Sequence, residues 1–282
     1  TGEFLVIYDA EDHPEPLQLR EAAARFAAGD ERLACLQAPL RVYPRTAFLP
    51  KQFGLEYAVQ FEVILPALTR LGLPFPLGGT SNHFRVEILR AVGGWDAFNV
   101  TEDADLGFRL ARAGATLGML ETPTWEPPPE TLRVWLPQRT RWIKGFGQTI
   151  GVHTRRPFAA GAQALFSLFA TVGVAVASAV LHAPVMAWMA SEMVLSAVEW
   201  RAPAIGAPDA ALLLCGWIVA LLAIIVGAAR AGLTLRQRDL LLAPLYWPLL
   251  SVAAMHALWQ LAKRPYHWDK TPHEAQTRRA AA

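Results

Sequence analysis

FLVIYDAEDHPEP, residues 4–16, carries five apolar or aromatic residues, Phe4 to Tyr8, straight into Asp9, Glu11 and Asp12. The apolar run reads as a buried strand, and three carboxylates at its end need an explanation. Like charges this close repel, and a buried carboxylate costs several kcal/mol unless it is compensated. Two readings are open. Asp12 N-caps the next helix and the others are solvated, or the acids hold a cation.

Outward from this stretch, strands alternate with helices. PLQLREAAARFAAGD reads as a helix opened by Pro16 and stopped near Gly29, and RLACLQAPLRVY as a strand. FLPKQFGLEYAVQFEVILPALTRLG is helical and ends at Gly72; FPLGGTSNHFR reads as a short strand entering a glycine turn, and VEILRAVGG as a short helix. DADLGFRLARAGATLGML is a helix stopped at Gly114 and followed by a strand, and PETLRVWLPQRTRWIKGFGQTI is a helix interrupted at Pro137. This order is that of an α/β class with a largely parallel sheet.

After residue 156 the composition changes. Pro157 to Ala262 holds only four acids (Glu192, Glu199, Asp209, Asp239) and four bases (Arg201, Arg230, Arg236, Arg238). Pro157–Ser191, Ala210–Ala229 and Leu240–Ala262 carry no formal charge. About 20 uncharged apolar residues span a bilayer core. Three or four membrane segments are expected, with a break at His182 to Pro184. The domains are therefore 1–156 (polar), 157–262 (membrane) and 263–282 (a basic tail). A net charge of +2 and the lack of basic runs with interleaved aromatics argue against a nucleic-acid partner. Cys35 and Cys215 fall in different parts and imply no disulfide. The chain opens just before a strand and without an initiator Met, so further upstream sequence is expected.

Three other stretches carry chemistry. NVTEDADLGFRL sets Glu102, Asp103 and Asp105 in the first turn of a helix after Thr101. Acids there favour the helix dipole and Thr101 suits an N-cap, or else one acid protrudes as a general base. QRTRW places Gln138, Arg141 and Trp142 on one helix face. Arg grips diphosphates and Trp offers a flat platform for a sugar ring, while the same residues also suit a helix lying on a membrane. GGTSNHF puts Gly78 and Gly79 where backbone can approach a ligand as a substrate loop, or in an ordinary turn; His83 reads as a structural hydrogen-bonder or a substrate contact.

In this order, DAED, GGTSNHFR, TED and QRTRW, followed by membrane helices, resemble the membrane-embedded family-2 glycosyltransferases of GT-A fold, the cellulose, chitin and hyaluronan synthases among them. The resemblance covers residues 1 to about 150 closely and the membrane part by architecture. It implies a GT-A (Rossmann-like) domain, incomplete at its N-terminus, because the family's first nucleotide-binding strands precede the Asp-x-Asp strand. A fragment of this kind is expected to bind donor poorly.

The same resemblance assigns roles. Asp9 matches the first metal-binding aspartate, Glu11 falls at the second, and Asp12 adds an acid, for Mg²⁺ or Mn²⁺. Asp103 would be the catalytic base, with Thr101 and Glu102 beside the acceptor. Gln138 and Arg141 would stabilise the departing diphosphate, and Trp142 would border the acceptor sugar. A cytosolic tail loop with His267, Trp268, Lys270 and Thr271 would close over the donor; a basic membrane anchor is the alternative. The implied enzyme is an inverting, metal-dependent hexosyltransferase. It would sit multi-pass in the bacterial inner membrane with its catalytic domain cytosolic, elongating a β-linked polysaccharide from a UDP-sugar. The rivals are transfer of one sugar to a lipid acceptor and a non-catalytic transporter or scaffold.

Overall fold

A computed structural model describes residues 2–155 and 161–268. Lys270 and Thr271 of the expected tail loop lie outside the described residues. The polar part is built on two small sheets. The larger has strand order β1 (Phe4–Ile7), β5 (Asn82–Arg85), β3 (Leu33–Gln37), β6 (Thr116–Met119); the smaller has order β2 (His13–Pro14), β7 (Thr124–Glu126), β4 (Leu40–Val42).

The larger sheet is mixed rather than largely parallel. β5 runs antiparallel to both its neighbours, β1 and β3, and only β3 and β6 pair in parallel. The stretch 32–43, expected as one strand, breaks at Ala38–Pro39 and feeds both sheets. The glycine turn precedes β5 instead of following a strand, so Gly78 and Gly79 lie before the strand. β1 is an edge strand, with Phe4 and Leu5 each 39% exposed, and not a fully buried one. Phe4 stacks on Phe26 of α1 (Gln18–Ala28), and the Arg85 guanidinium covers both rings.

Five helices complete this part: α2 (Phe48–Val59), which continues through a π-helical turn, Gln60–Ile64, into α3 (Leu65–Arg70), then α4 (Val86–Ala91), α5 (Glu102–Arg112) and α6 (Leu132–His153). α6 is continuous through Pro137. Proline removes one helical hydrogen bond, but Trp135 and Arg139 on either side are fixed in the core by Tyr246 and Glu56. Gly114, with φ +83°, follows the end of α5 as expected.

Among the described residues three helices are long and apolar enough to cross a membrane: 162–198, 207–230 and 237–263. The first comprises α7 (Ala162–Leu168), a π-helical turn and α8 (Val174–Val198); the others are α9 (Ala207–Arg230) and α10 (Gln237–Lys263). No break occurs at His182–Pro184. α8 runs through Pro184, and the Ala183 N–H beside it donates to Ser251 Oγ of α10, 3.1 Å away. Tyr246, Ala253, Ala254 and Ala257 of α10 join the main core of the polar domain.

Candidate active site

Asp9 stands two residues beyond the end of β1, in a turn closed by the Asp12 N–H on the Asp9 carbonyl, 3.1 Å. Asp12 does not cap α1, whose N-cap position is Leu17. It accepts instead from the Thr80 hydroxyl, and the Asp9 N–H donates to that same oxygen at 3.1 Å. Thr80 thus ties the acid turn to the glycine turn. The next residue back, Gly79, brings in the third acid: a Cβ there would lie 3.1 Å from Asp103 Oδ2. The acid turn and the first turn of α5 therefore both reach Gly79–Thr80.

Two features that the sequence reading missed hold this turn. Gln37, buried at the end of β3, accepts from the Gly78 N–H at 2.8 Å and donates to the carbonyls of Ala38 and Thr80 at 3.0 Å. Ser81 is one of two non-glycine residues with positive φ among those described, at 59°. Its N–H reaches the Ile7 carbonyl and its carbonyl reaches the Ala38 N–H, so β1 and β3 impose the strained conformation.

Asp103 enters from α5. Thr101 occupies the N-cap position but makes no capping hydrogen bond with its side chain. The segment is clamped to α6: Asn99 Nδ2 donates to Thr149 Oγ1 and the Val100 N–H to Gln148 Oε1, each at 3.0 Å. Thr101 presses on Gly145, where a Cβ would lie 2.2 Å from its hydroxyl. Asp105, the last acid of the run, turns away from the cleft. It is fully buried, receiving Arg109 Nε at 2.6 Å and facing His153 Nε2 at 3.0 Å, and so fastens α5 to α6.

From α6, Arg141 is destabilised as a cation by burial, which lowers its pKa against the opposing charges of Asp103, Glu102, Tyr57 and Asp9. Its Nε and the Oε1 of Gln138 are buried with no hydrogen-bond partner among the described residues, as is Oε1 of Glu126 on β7. Trp142 does not stand free. Arg139 lies 4.5 Å over its ring, and Phe53 and Tyr57 flank it. Arg139 pairs with Glu56 at 2.6 Å and has no place at the cleft surface. Trp268 of the tail stacks on Arg141 at 4.6 Å, and the His267 carbonyl accepts from Lys144. His83 is buried away from the acids, against Gln18 (3.2 Å) and edge-on to Tyr8. Burial pushes its pKa down to about 4, so it is a neutral scaffold residue.

The electrostatics follow from the crowding. Burial, then the Glu102 charge, raises Asp103 to about 7 against the Ala104 N–H and Arg141. Burial raises Asp12 to about 6, and Asp9 and Glu11 add to it against the Thr80 hydrogen bond. Burial also raises Glu126 strongly, with the charges of Asp12, Asp9 and Glu11 behind it. Among the described residues no three His, Cys, Asp or Glu side chains are gathered closely enough to ligate an ion by themselves. The acid turn nevertheless fits a hard divalent cation, since its carboxylates destabilise one another and Mg²⁺-type ions take few protein ligands and share substrate phosphates.

Residues 4–231 match the model of glycosyl transferase family group 2. The chain belongs to that family. It is 28% identical over 147 residues to the "Probable glycosyltransferase YdaM" of Bacillus subtilis, covering 51% of this chain and 35% of that protein. It is 29% identical over 149 residues to "Glucomannan 4-beta-mannosyltransferase 2" of Arabidopsis thaliana, covering 51% and 27%. The matched stretch thus spans between about a quarter and a third of the length of these curated relatives. Among solved structures it resembles the mannosyltransferase PcManGT of Pyrobaculum calidifontis, in complex with GDP-Man and Mn²⁺, with a TM-score of 0.57 at 18% identity over 93% of this chain and 63% of that one. The fold is accordingly a GT-A glycosyltransferase domain followed by apolar helices.

One consequence concerns stability. Burial alone would raise the Asp105 pKa; the hydrogen bonds from His153 and Arg109 outweigh it and leave it below the usual carboxylate value. A lowered carboxylate pKa gives stability that is present above the unfolded value, near 3.9, and is lost as pH falls through the folded value. Asp105→Ala is expected to cost about 1.5–3 kcal/mol at neutral pH, because it removes the buried carboxylate that binds half-buried Arg109 and buried His153. The cost should shrink below about pH 4. Denaturant unfolding of both proteins at pH 7 and pH 3.5 checks this; an unchanged midpoint at pH 7 contradicts it.

Proposed function

We propose that this chain carries the catalytic part of an inverting, metal-dependent glycosyltransferase of the inner membrane, using a nucleoside-diphosphate sugar to extend a β-linked polysaccharide. The observation that carries the reading is the meeting of the acid turn and Asp103 at Gly79–Thr80, with Arg141 close enough for its charge to be felt by Asp103. Displacement at an anomeric carbon needs a base on one face and charge stabilisation at the departing phosphates on the other. Asp103 is the base that takes the acceptor's proton. Asp9, with Glu11 or Asp12, holds Mg²⁺ or Mn²⁺, which supplies Lewis-acid stabilisation of the diphosphate when bound. Arg141 and Gln138 present unpartnered buried polar atoms to those phosphates. Trp142, backed by Arg139, borders the acceptor with Glu102 alongside; Thr101, expected at the acceptor, is buried against Gly145 and positions α5 instead.

The neighbours support the substrate class. The relative of known fold is in complex with GDP-Man and Mn²⁺, and the Arabidopsis relative is named for a β-linked mannosyl transfer to glucomannan. A GDP-sugar donor therefore stands beside a UDP-sugar. The tail over Arg141 supports a substrate-covering role for His267 and Trp268.

The test is a donor screen, UDP- and GDP-sugars included, on the complete protein in membranes, with product length and linkage analysed. One nucleotide-sugar should give a β-linked polymer; a product with one added sugar on a lipid would replace the polymer reading with the single-transfer one. EDTA should abolish turnover and Mg²⁺ or Mn²⁺ restore it, and Asp9→Asn should be inactive with either ion. Full turnover in EDTA removes the metal from the scheme.

A further inference from the structure

Glu126 is the last residue of β7, and the alternation of the strand decides where its side chain goes. Trp125 faces outward: its ring stacks on Tyr43, and its Nε1 donates to Glu15 at 3.0 Å. Thr124 and Glu126 face the other way. The Thr124 hydroxyl lies 2.6 Å from Ser81 Oγ and accepts from Gln18 Nε2 at 3.0 Å, inside the domain. The backbone of Glu126 is locked. Its carbonyl accepts from the Tyr43 N–H at 3.0 Å, and Pro127 keeps it extended. Pro128 and Pro129, both buried, carry the rigid stretch onward.

A side chain held this firmly is expected to have a partner, and this one has none. Oε1 of Glu126 is buried with no hydrogen bond among the described residues. Glu15, Glu21, Glu56 and Glu62 are half-buried as well, and each accepts from a named donor: Trp125, Thr122, Tyr246 and Arg41. An unpaired buried acceptor destabilises a fold, and such groups persist where a ligand completes them. The surroundings say which ligand. Burial raises the Glu126 pKa, and the charges of Asp12, Asp9 and Glu11 add to it, so the acid turn is close by. Burial likewise raises the Tyr57 hydroxyl, and Glu126 is the first charge to add to it. The Tyr57 ring lies 6.2 Å from that of Trp142. Glu126 is therefore near both the turn assigned to the metal and diphosphate and the aromatic pair assigned to the acceptor. The group that sugar transfer keeps near both is the sugar in transit.

We infer that Glu126 reads the transferred sugar: its Oε1 accepts a hydrogen bond from a ring hydroxyl of the nucleotide-sugar and so helps decide which hexose the enzyme takes. The inference rests on the proposed glycosyl transfer and adds a specificity residue to it. The chemistry selects a hydroxyl over the other ligands of the cleft. A pyranose hydroxyl has a proton to give, which an unpaired acceptor oxygen needs. A diphosphate has none at neutral pH, and the neighbouring acids repel it. A metal ion is not the answer, because among the described residues Glu126 is not gathered with two further acids closely enough to ligate one. Glu126 neither takes the acceptor's proton nor attacks the sugar. It contributes by fit: a site built to bond a hydroxyl rejects an analogue without it, since the protein's own polar atom is then left unpaired.

The test uses the complete protein in membranes, the nucleotide-sugar that supports turnover, and its monodeoxy analogues. In the wild type, loss of one particular hydroxyl should lower kcat/KM by about 10- to 100-fold. Glu126→Met, of similar length but without the acceptor, should lose a similar factor on the parent donor and treat that deoxy donor no worse than the parent. Glu126→Gln keeps an acceptor oxygen and should keep the discrimination. Heat unfolding of the purified proteins separates this role from a structural one. Glu126→Met removes an unpaired buried carboxylate and should be at least as stable as the wild type, whereas loss of a scaffold glutamate lowers Tm. If Glu126→Met discriminates among the deoxy donors as the wild type does, or if its defect lies only in acceptor KM or in the Mn²⁺ concentration required, the inference is overturned. A wild type that turns over no nucleotide-sugar removes the proposed reaction and this inference with it. An active wild type whose discrimination survives in Glu126→Met removes this inference alone.

Discussion

Asp103→Asn in the complete enzyme is expected to lose at least roughly a hundredfold in turnover while binding nucleotide-sugar as tightly as wild type. A general base acts on the acceptor's proton in the transition state and touches the donor little. Asn keeps the shape and still accepts from the Ala104 N–H, a bond of 2.8 Å in the wild type, but cannot take the proton. The same residue sets the pH dependence. With its pKa raised to about 7 by burial and by Glu102, Asp103 is half protonated near neutrality. Only the deprotonated form accepts a proton, so kcat/KM of the wild type should fall as pH drops below about 7. If Asp103 served only the helix dipole, its loss would cost about 0.3–1 kcal/mol of stability and leave turnover intact. Donor affinity and turnover measured on one purified Asp103→Asn preparation distinguish the two, and near-normal turnover removes Asp103 from the mechanism.

The second large effect is expected at a residue with no chemistry of its own. Gly145→Ala puts a methyl 2.2 Å from Thr101 Oγ1, 2.6 Å from Cγ2 and 2.7 Å from Cβ. Thr101 is buried and its N–H is held by Asn99 at 3.0 Å, so it has nowhere to swing. α5 and α6 must part, and the parting separates Asp103 from Arg141. Overpacking of this kind costs about 1–3 kcal/mol, and a 1 Å displacement of reacting groups costs on the order of a hundredfold in rate. Thr101→Ala in the same chain removes two of the three clashing atoms and should restore part of the turnover. Wild-type turnover of Gly145→Ala alone would mean that the α5–α6 contact does not position the site.

These two residues show what was legible in the sequence. Asp9, Asp103 and Arg141 could be singled out as candidates because their chemistry is written in the residue type and their neighbours are adjacent in the chain. Gly145 did not, because its reason is Thr101, on another helix. Gln37 and Ser81 were hidden in the same way: a buried glutamine and a left-handed serine matter only through the turn they hold. The strand at 32–43 was legible as extended chain, but not its division between two sheets, which depends on partners far along the sequence. β1 looked buried because apolarity does not distinguish a central strand from an edge strand that an aromatic ring and Arg85 cover.

α10 gives the opposite lesson. Hydropathy marked its length and apolarity, but not the face carrying Asp239, Tyr246 and Gln260 that packs on the catalytic domain. Trp142 was expected as an open platform, but Arg139, one of the buried members of the same motif, lies over its ring. The motif's spacing gave the helix face correctly and said nothing about which side chain would cover which.

The anomeric configuration of the product tests the central claim most directly. A base and a charge-stabilised leaving group on opposite faces of the anomeric carbon enforce inversion. The complete enzyme, given an α-linked nucleotide-sugar and Mg²⁺ or Mn²⁺, should form a β-linked product by NMR, and Asp103→Asn should form none. An α-linked product, or a β-linked product made at the wild-type rate by Asp103→Asn, would contradict the account.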